Sequence, residues 1–226
     1  MIGVFDSGIG GLTVVRSLLS RLPHERIVYV GDTARVPYGP KSPDTVRRYA
    51  DEIARWLVGE GVKAIIVACN TATAHALTGL QKHMPVPVIG VVEPGARAAV
   101  RSAGPGPVGV IGTVGTIDSG AYERAIHAIA PEMLVLARAC PLFVPLVEEG
   151  WLDHRVTRDV AHEYLDPLLA DGITALVLGC THYPLLAPLL AGLAGPKVRK
   201  QRAVTPIEQK TPGVMPRRVF ILMMIC

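Results

Sequence analysis

At 226 residues, half of them hydrophobic, the chain carries enough apolar material for one large domain or two small ones with a well-buried core. Its formal charge of +4 comes from basic residues gathered late in the chain (Arg199, Lys200, Arg202, Lys210, Arg217 and Arg218), and aromatic residues make up only 5% with no basic and aromatic stripe, which argues against a nucleic-acid surface. The cysteines at 69, 140, 180 and 226 are widely spaced without a Cys-x-x-Cys pair, so a disulfide framework and a structural zinc site are both disfavoured and reduced thiols in the cytoplasm are expected. Met1 runs directly into a strand with no basic-then-apolar leader, and no apolar run approaches the roughly 20 residues of a membrane helix, so neither secretion nor membrane insertion is expected.

In chain order the pattern alternates strand and helix. A strand at 2–5 leads to a helix near 11–22, a strand at 27–30, a helix near 43–59 and a strand at 64–68. Ser42 and Asp44 supply an N-cap and a first-turn acid for the second helix, and Val46, Tyr49, Ile53 and Trp56 form an apolar stripe, with the two aromatics read as core. A strand at 86–92 ends at Glu93-Pro94-Gly95, a turn that marks the expected boundary between two lobes. The second lobe starts with a helix to Ser102, then a Gly- and Pro-rich loop at 104–107, a strand at 108–112, a helix near 119–130 and a strand at 134–137. A helix, a strand at 175–179 and another helix follow. The expected organisation is α/β, with two pseudo-symmetric lobes over residues 1–93 and 94–197, largely parallel central sheets, and the active site between them. Residues 198–226 lose the period apart from the apolar run 219–224 and read as an atypical tail with at most one edge strand.

The most informative feature is an internal repeat. Gly61-Val62-Lys63-Ala64-Ile65-Ile66-Val67-Ala68-Cys69-Asn70-Thr71 and Gly172-Ile173-Thr174-Ala175-Leu176-Val177-Leu178-Gly179-Cys180-Thr181-His182 share glycine, alanine, an aliphatic run, and then cysteine with polar residues in register. Short apolar runs of this kind read as buried parallel strands, which places both thiols at strand carboxyl ends, where α/β folds bind ligands. Two thiols can invert a carbon centre, one removing a proton and the other returning one to the opposite face. A racemase or epimerase is therefore the leading reading.

Other motifs supply neighbours. Asp6-Ser7-Gly8-Ile9-Gly10-Gly11 joins the first strand to the first helix, so its N–H groups can cradle a carboxylate, although Asp6 or Ser7 can equally be an ordinary cap. His182, two residues after Cys180, suits an acid or base. Either Glu148 or Glu149 can assist it. Tyr38-Gly39 sits in a loop able to cover a ligand, and Thr113 and Thr116 follow a strand at the same expected sheet end. Cys140 lacks polar neighbours and reads as core, and Cys226 is terminal and uninformative.

Asp6-Ser7-Gly8-Ile9-Gly10-Gly11-Leu12, Pro37-Tyr38-Gly39, Cys69-Asn70-Thr71-Ala72, the run from Pro141 to Glu148 and Gly179-Cys180-Thr181-His182-Tyr183-Pro184 together closely resemble glutamate racemase, in order, over residues 1 to about 197. The resemblance implies cofactor-independent interconversion of L- and D-glutamate with no metal, supplying D-glutamate for peptidoglycan. Under it Cys69 takes the α-proton from D-glutamate with help from Asp6. Cys180 takes it from L-glutamate with help from His182 and Glu148, the match favouring Glu148 over Glu149. Ser7, Tyr38, Gly39, Asn70, Thr71 and Thr181 bind the amino acid, with Thr113 and Thr116 as further contacts. A homodimer is expected from the size and lobed organisation. The family normally returns to its first lobe at the end, and residues 198–226 do not carry that pattern. Competing readings are an aspartate racemase, a thiol hydrolase built on Cys180, His182 and Glu148, and a two-lobed binding protein in which the thiols only pack.

Overall fold

The computed structural model describes residues 1–195, 198–202 and 219–223. They fall into two compact units, one containing Met1–Val91 and the strand at 219–223, the other residues 92–202.

In the first unit, β1 (Ile2–Asp6), β2 (Ile27–Gly31), β3 (Ala64–Val67), β4 (Val88–Gly90) and a late strand, β9 (Val219–Met223), form an all-parallel sheet in the order β4-β3-β1-β2-β9. α1 (Leu12–Arg21), α2 (Pro43–Gly59) and α3 (Asn70–His83) are the crossovers. Ser42 Oγ accepts the Thr45 N–H and Asp44 lies in the first turn of α2, the expected cap, an arrangement that stabilises a helix by about 1 kcal/mol. α2 buries Val46, Ala50, Ile53, Ala54 and Leu57 against Phe5, Val30, Ile65 and Val67. The predicted stripe is shifted by part of a turn. Tyr49 lies only partly buried at its edge and Trp56 is 40% exposed, because the face centred on Ile53 carries both away from the core.

In the second unit, β5 (Val108–Gly112), β6 (Val135–Ala139), β7 (Ala175–Gly179) and β8 (Arg199–Arg202) form a parallel sheet in the order β6-β5-β7-β8. The apolar run of β7 is buried on both faces. Leu176 and Leu178 join Ile111 beneath α7 (Phe143–Glu148), α8 (Arg155–Ala170) and α9 (Ala187–Ala194), whereas Ala175 and Val177 join Val108 and Val110 beneath α4 (Val92–Ala103) and α6 (Ala121–His127).

Several boundaries differ from the sequence reading. Glu93-Pro94-Gly95 is the first turn of α4 rather than a turn between lobes, since N–H groups of a first helical turn have no intrahelical partner and proline costs little there. The helix expected near 119–130 is α6, which starts after Gly120 in the left-handed region at φ +62°, and a short helix not expected from sequence, α5 (Val114–Asp118), precedes it. Residues 198–226, expected as a tail outside both lobes, contribute β8 to the second sheet and β9 to the first, where Ile27 pairs with Val219 and Gly31 with Met223. Cys226 lies outside the described residues.

The repeat has a conformational cause at its first residue. Gly61 (φ +73°) and Gly172 (φ +77°) follow the last residues of α2 and α8 in the left-handed conformation that ends a helix without cost only for glycine, and each hands the chain to a buried parallel strand carrying a cysteine at its carboxyl end.

Candidate active site

β1 and β3 are neighbours, so Asp6 at the end of one and Cys69 just beyond the other emerge on the same side of the first sheet. Asp6 is fully buried. Its Oδ2 accepts N–H bonds from Gly8 (3.3 Å) and Gly11 (2.9 Å), so two of the loop donors expected to cradle a ligand are taken by the loop's own carboxylate. Cys69 is the N-cap of α3, its Sγ accepting the Ala72 N–H at 3.5 Å and lying 3.7 Å from Ser7 Oγ. Asn70 and Thr71, both buried, open the same helix. Burial and then the Asp6 charge push the Cys69 thiol up to about 12, against the opposing pull of the Ala72 N–H and the Ser7 hydroxyl. A thiolate formed here is accordingly a strong base.

Tyr38 and Gly39 are also buried at this end of the sheet, but the Tyr38 hydroxyl donates to Asp32 Oδ2, which also receives Arg35 Nε at 2.7 Å. Asp32 follows β2 directly and its N–H donates to the Asp6 carbonyl at 3.1 Å. The acid at 32 and Tyr29 beneath the first loop were not singled out from sequence. The available signal was a Gly-Asp pair at a strand end, the same position that drew attention to Cys69 and Cys180.

In the second unit β5 and β7 are neighbours with Gly112 opposite Gly179, so Thr113 and Cys180 leave adjacent strand ends. Thr113 Oγ1 accepts the Thr116 N–H and lies 3.0 Å from Thr116 Oγ1, capping α5. Cys180 Sγ lies 3.7 Å from His182 Nδ1, and His182 Nε2 lies 2.5 Å from Glu148 Oε1 at the end of α7. Against a carboxylate that only accepts, a neutral imidazole places its hydrogen on Nε2 and turns the Nδ1 lone pair toward the thiol. His182 is 3% exposed and Thr181 is buried beside it. Tyr183, opening a short 3₁₀ turn over Tyr183–Leu186, donates its hydroxyl to the Cys140 carbonyl at 2.8 Å. Cys140 itself is fully buried, as its apolar surroundings suggest, and burial raises its thiol to about 12.

Each unit thus presents a buried thiol at a strand end with a carboxylate, or a carboxylate acting through an imidazole, in its own polar group. The sequence profile of the Asp/Glu/Hydantoin racemase family matches residues 2–203. The chain belongs to that family. This racemase is 58% identical over 197 residues to glutamate racemase of Syntrophus aciditrophicus, covering 87% of this chain and 73% of that protein. A crystal structure of a glutamate racemase isoform from Bacillus anthracis matches with a TM-score of 0.88 at 43% identity, over 91% of this chain and 77% of that one. That of Francisella tularensis glutamate racemase in complex with D-glutamate matches at 0.82 and 43%, over 91% and 75%. The sequence resemblance to glutamate racemase and the α/β architecture with parallel sheets therefore both hold for this racemase. Among the described residues of the racemase, no group of three or more His, Cys, Asp and Glu is placed to hold a metal ion, and no helix is long and apolar enough to cross a membrane.

Buried thiols also couple the racemase's stability to pH. Cys69 and Cys140 are raised from 9.0 to about 12, so between those values the folded chain retains protons that the unfolded chain releases. The stabilisation is complete below pH 9 and is lost as pH rises toward 12. The thermal midpoint is expected to fall steadily across that window, and Cys140→Ala is expected to flatten the slope in a calorimetric pH series; an unchanged slope contradicts the burial of a protonated thiol at 140.

Proposed function

We propose that this chain interconverts L- and D-glutamate without a cofactor, Cys69 and Cys180 serving as the two acid–base groups. The observation that carries the reading is the matched pair of buried strand-end thiols, each with a distinct proton partner. The α-proton of an amino acid is weakly acidic, so the base must be strong when formed and must be desolvated; burial meets both requirements at Cys69. Ionising Cys69 beside a charged Asp6 is unfavourable, and passing the thiol proton to Asp6 removes that repulsion. At Cys180 the His182 Nδ1 lone pair takes the proton, and Glu148 holds the ring and stabilises the imidazolium.

In this reading Cys69 removes the α-proton of D-glutamate while Cys180 donates to the opposite face, and the roles reverse for L-glutamate. Ser7, Asn70, Thr71 and Thr181 bind the amino acid, with Gly39, Thr113 and Thr116 as further contacts. Tyr38 contributes by holding its loop, since its hydroxyl is engaged by Asp32. D-Glutamate bound in the Francisella relative supports the choice of substrate. The product is assigned to peptidoglycan synthesis, and the enzyme to the cytoplasm as a homodimer.

The relay from Cys180 through His182 to Glu148 is also the arrangement of a thiol hydrolase. That alternative leaves Cys69 and its matching strand without a role. Incubating the chain with L-glutamate in deuterium oxide separates the two. Inversion followed by circular dichroism, with deuterium entering the D-product before the L-substrate by NMR, is the expected two-base signature. Retention of the α-proton with no inversion by a folded chain, or, in a parallel incubation with an ester or amide substrate, a covalent acyl adduct at Cys180 with release of the alcohol or amine, overturns the proposal.

A further inference from the structure

We propose that Tyr29 is a positioning residue for the Cys69 half of the reaction, fixing through the Gly8 carbonyl the loop that carries Asp6 and Ser7; this rests on the racemase reading above. Tyr29 lies in β2 opposite Val4 of β1, is fully buried, and donates its hydroxyl to the Gly8 carbonyl at 2.6 Å. Gly8 is consequently held from both sides, its N–H by Asp6 Oδ2 and its C=O by Tyr29. Ser7, which shares the anchored Ser7–Gly8 peptide group, has its Oγ 3.7 Å from Cys69 Sγ.

The surrounding glycines record how closely the tyrosine is fitted. A Cβ at Gly11 would lie 2.8 Å from the Tyr29 hydroxyl and 2.5 Å from Asp6 Cβ. One at Gly31 would lie 2.6 Å from the Gly8 carbonyl oxygen and 3.3 Å from Tyr29 Cε1. Contacts under 3 Å to backbone cannot be relieved by a side-chain turn, so the ring and the loop occupy that space together. Burial, with Asp6 and Cys69 nearby, keeps the phenol protonated well above its ordinary range, so the sense of the hydrogen bond is fixed with Tyr29 as donor. Nothing about Tyr29 touches the reacting atoms. Its effect is to hold the groups that do, where a small displacement of a catalytic group is costly in rate.

Tyr29→Phe keeps the ring and removes only the donor. The variant is expected to fold, with a thermal midpoint about 3 °C lower. Its KM for glutamate is expected within about twofold of the parent, with kcat reduced about tenfold, the loss belonging to positioning rather than binding. The isotope effect with α-deuterated D-glutamate should rise while that with α-deuterated L-glutamate stays at the parent value, a split that general loosening of the fold does not produce. Gly31→Ala, which displaces the same carbonyl by another route, should give the same pattern. Alkylation of Cys69 by iodoacetamide at fixed pH, followed by peptide mass spectrometry without substrate, should slow about threefold in Tyr29→Phe as the Ser7 contact is lost, with Cys180 unaffected. A folded Tyr29→Phe with parental kcat and parental Cys69 alkylation overturns the proposal. Should the parent chain not racemise glutamate at all, the function assignment falls, and the alkylation rates alone decide for or against Tyr29.

Discussion

Replacing Cys180 by serine is expected to lower racemisation by about 10²–10⁴-fold in both directions while leaving the fold intact, and Cys69→Ser should do the same. Serine nearly matches cysteine in shape, and neither sulfur is a large share of its core. Cys69 is 5% and Cys180 8% exposed, each at the rim of a packed cluster rather than its centre. The chemical difference is large, because an alcohol in the same desolvated setting is far less acidic than a thiol and cannot deliver a comparable base. The two variants should differ in what they retain. With Cys69 changed, Cys180 and its His182–Glu148 relay are still present, so solvent deuterium should exchange slowly into L-glutamate without inversion. With Cys180 changed, the same should be seen for D-glutamate. Measuring α-proton loss by NMR alongside circular dichroism reads both quantities in one sample. Full activity in either variant removes the two-thiol mechanism, and a loss confined to Cys180→Ser favours a hydrolase built on that relay.

Local signals carried much of this fold. Ser42 before Pro43 announced α2, and the apolar runs that follow the glycines at 61 and 172 announced the parallel strands β3 and β7, the latter buried on both faces. Features that depend on distant partners were less legible. Arg199–Arg202 has neither an apolar run nor alternation, yet forms β8, because a sheet edge asks for backbone pairing on one side only and tolerates charge. Val219–Met223 reads as a strand, but its neighbour in the sheet is β2, and nothing within five residues can encode a partner about 190 positions away. Pro94 suggests a boundary in isolation and is harmless in the first turn of α4.

The candidate site divides in the same way. The repeat exposed both cysteines without the fold, since it combines a turn requirement, a burial requirement and a chemical residue in register. His182 was legible as a sequence neighbour of Cys180, whereas Asp6, far from Cys69 along the chain, was joined to it only by the resemblance. The residues alone leave Glu148 and Glu149 open and the resemblance favours Glu148; α7 brings that acid, at its last residue, to His182 Nε2 while Glu149 falls at the helix cap. Tyr29 and Asp32 were missed because each acts through another residue, Tyr29 on a backbone carbonyl and Asp32 on the Tyr38 hydroxyl, contacts that the strand-end Gly31-Asp32 pair does not by itself specify.

Gly179→Ala is expected to be among the most damaging single-methyl changes in the second unit, costing about 1–3 kcal/mol of stability and most of the activity. Gly179 ends β7 opposite Gly112 of β5, immediately before Cys180. A Cβ there would stand 2.8 Å from the Ile111 carbonyl oxygen and 3.1 Å from Tyr122 Cε2. The first contact is with backbone on the adjacent strand, so relief requires the β5–β7 spacing to open, and Tyr122, buried in the core formed with Val110 and Val177, has no empty space to retreat into. The opening would act at the strand end that sets the position of Cys180 relative to His182 Nδ1, now 3.7 Å from Sγ. Stability and chemistry are therefore predicted to fail together, unlike in Cys180→Ser, where chemistry fails alone. A second substitution, Tyr122→Leu, removes the ring contact but not the carbonyl, and should recover only part of the stability in the double variant. Urea unfolding of the single and double variants tests this ordering: full recovery by Tyr122→Leu would place the clash on the ring, and parental stability of Gly179→Ala would show that the strand ends yield more readily than their packing implies.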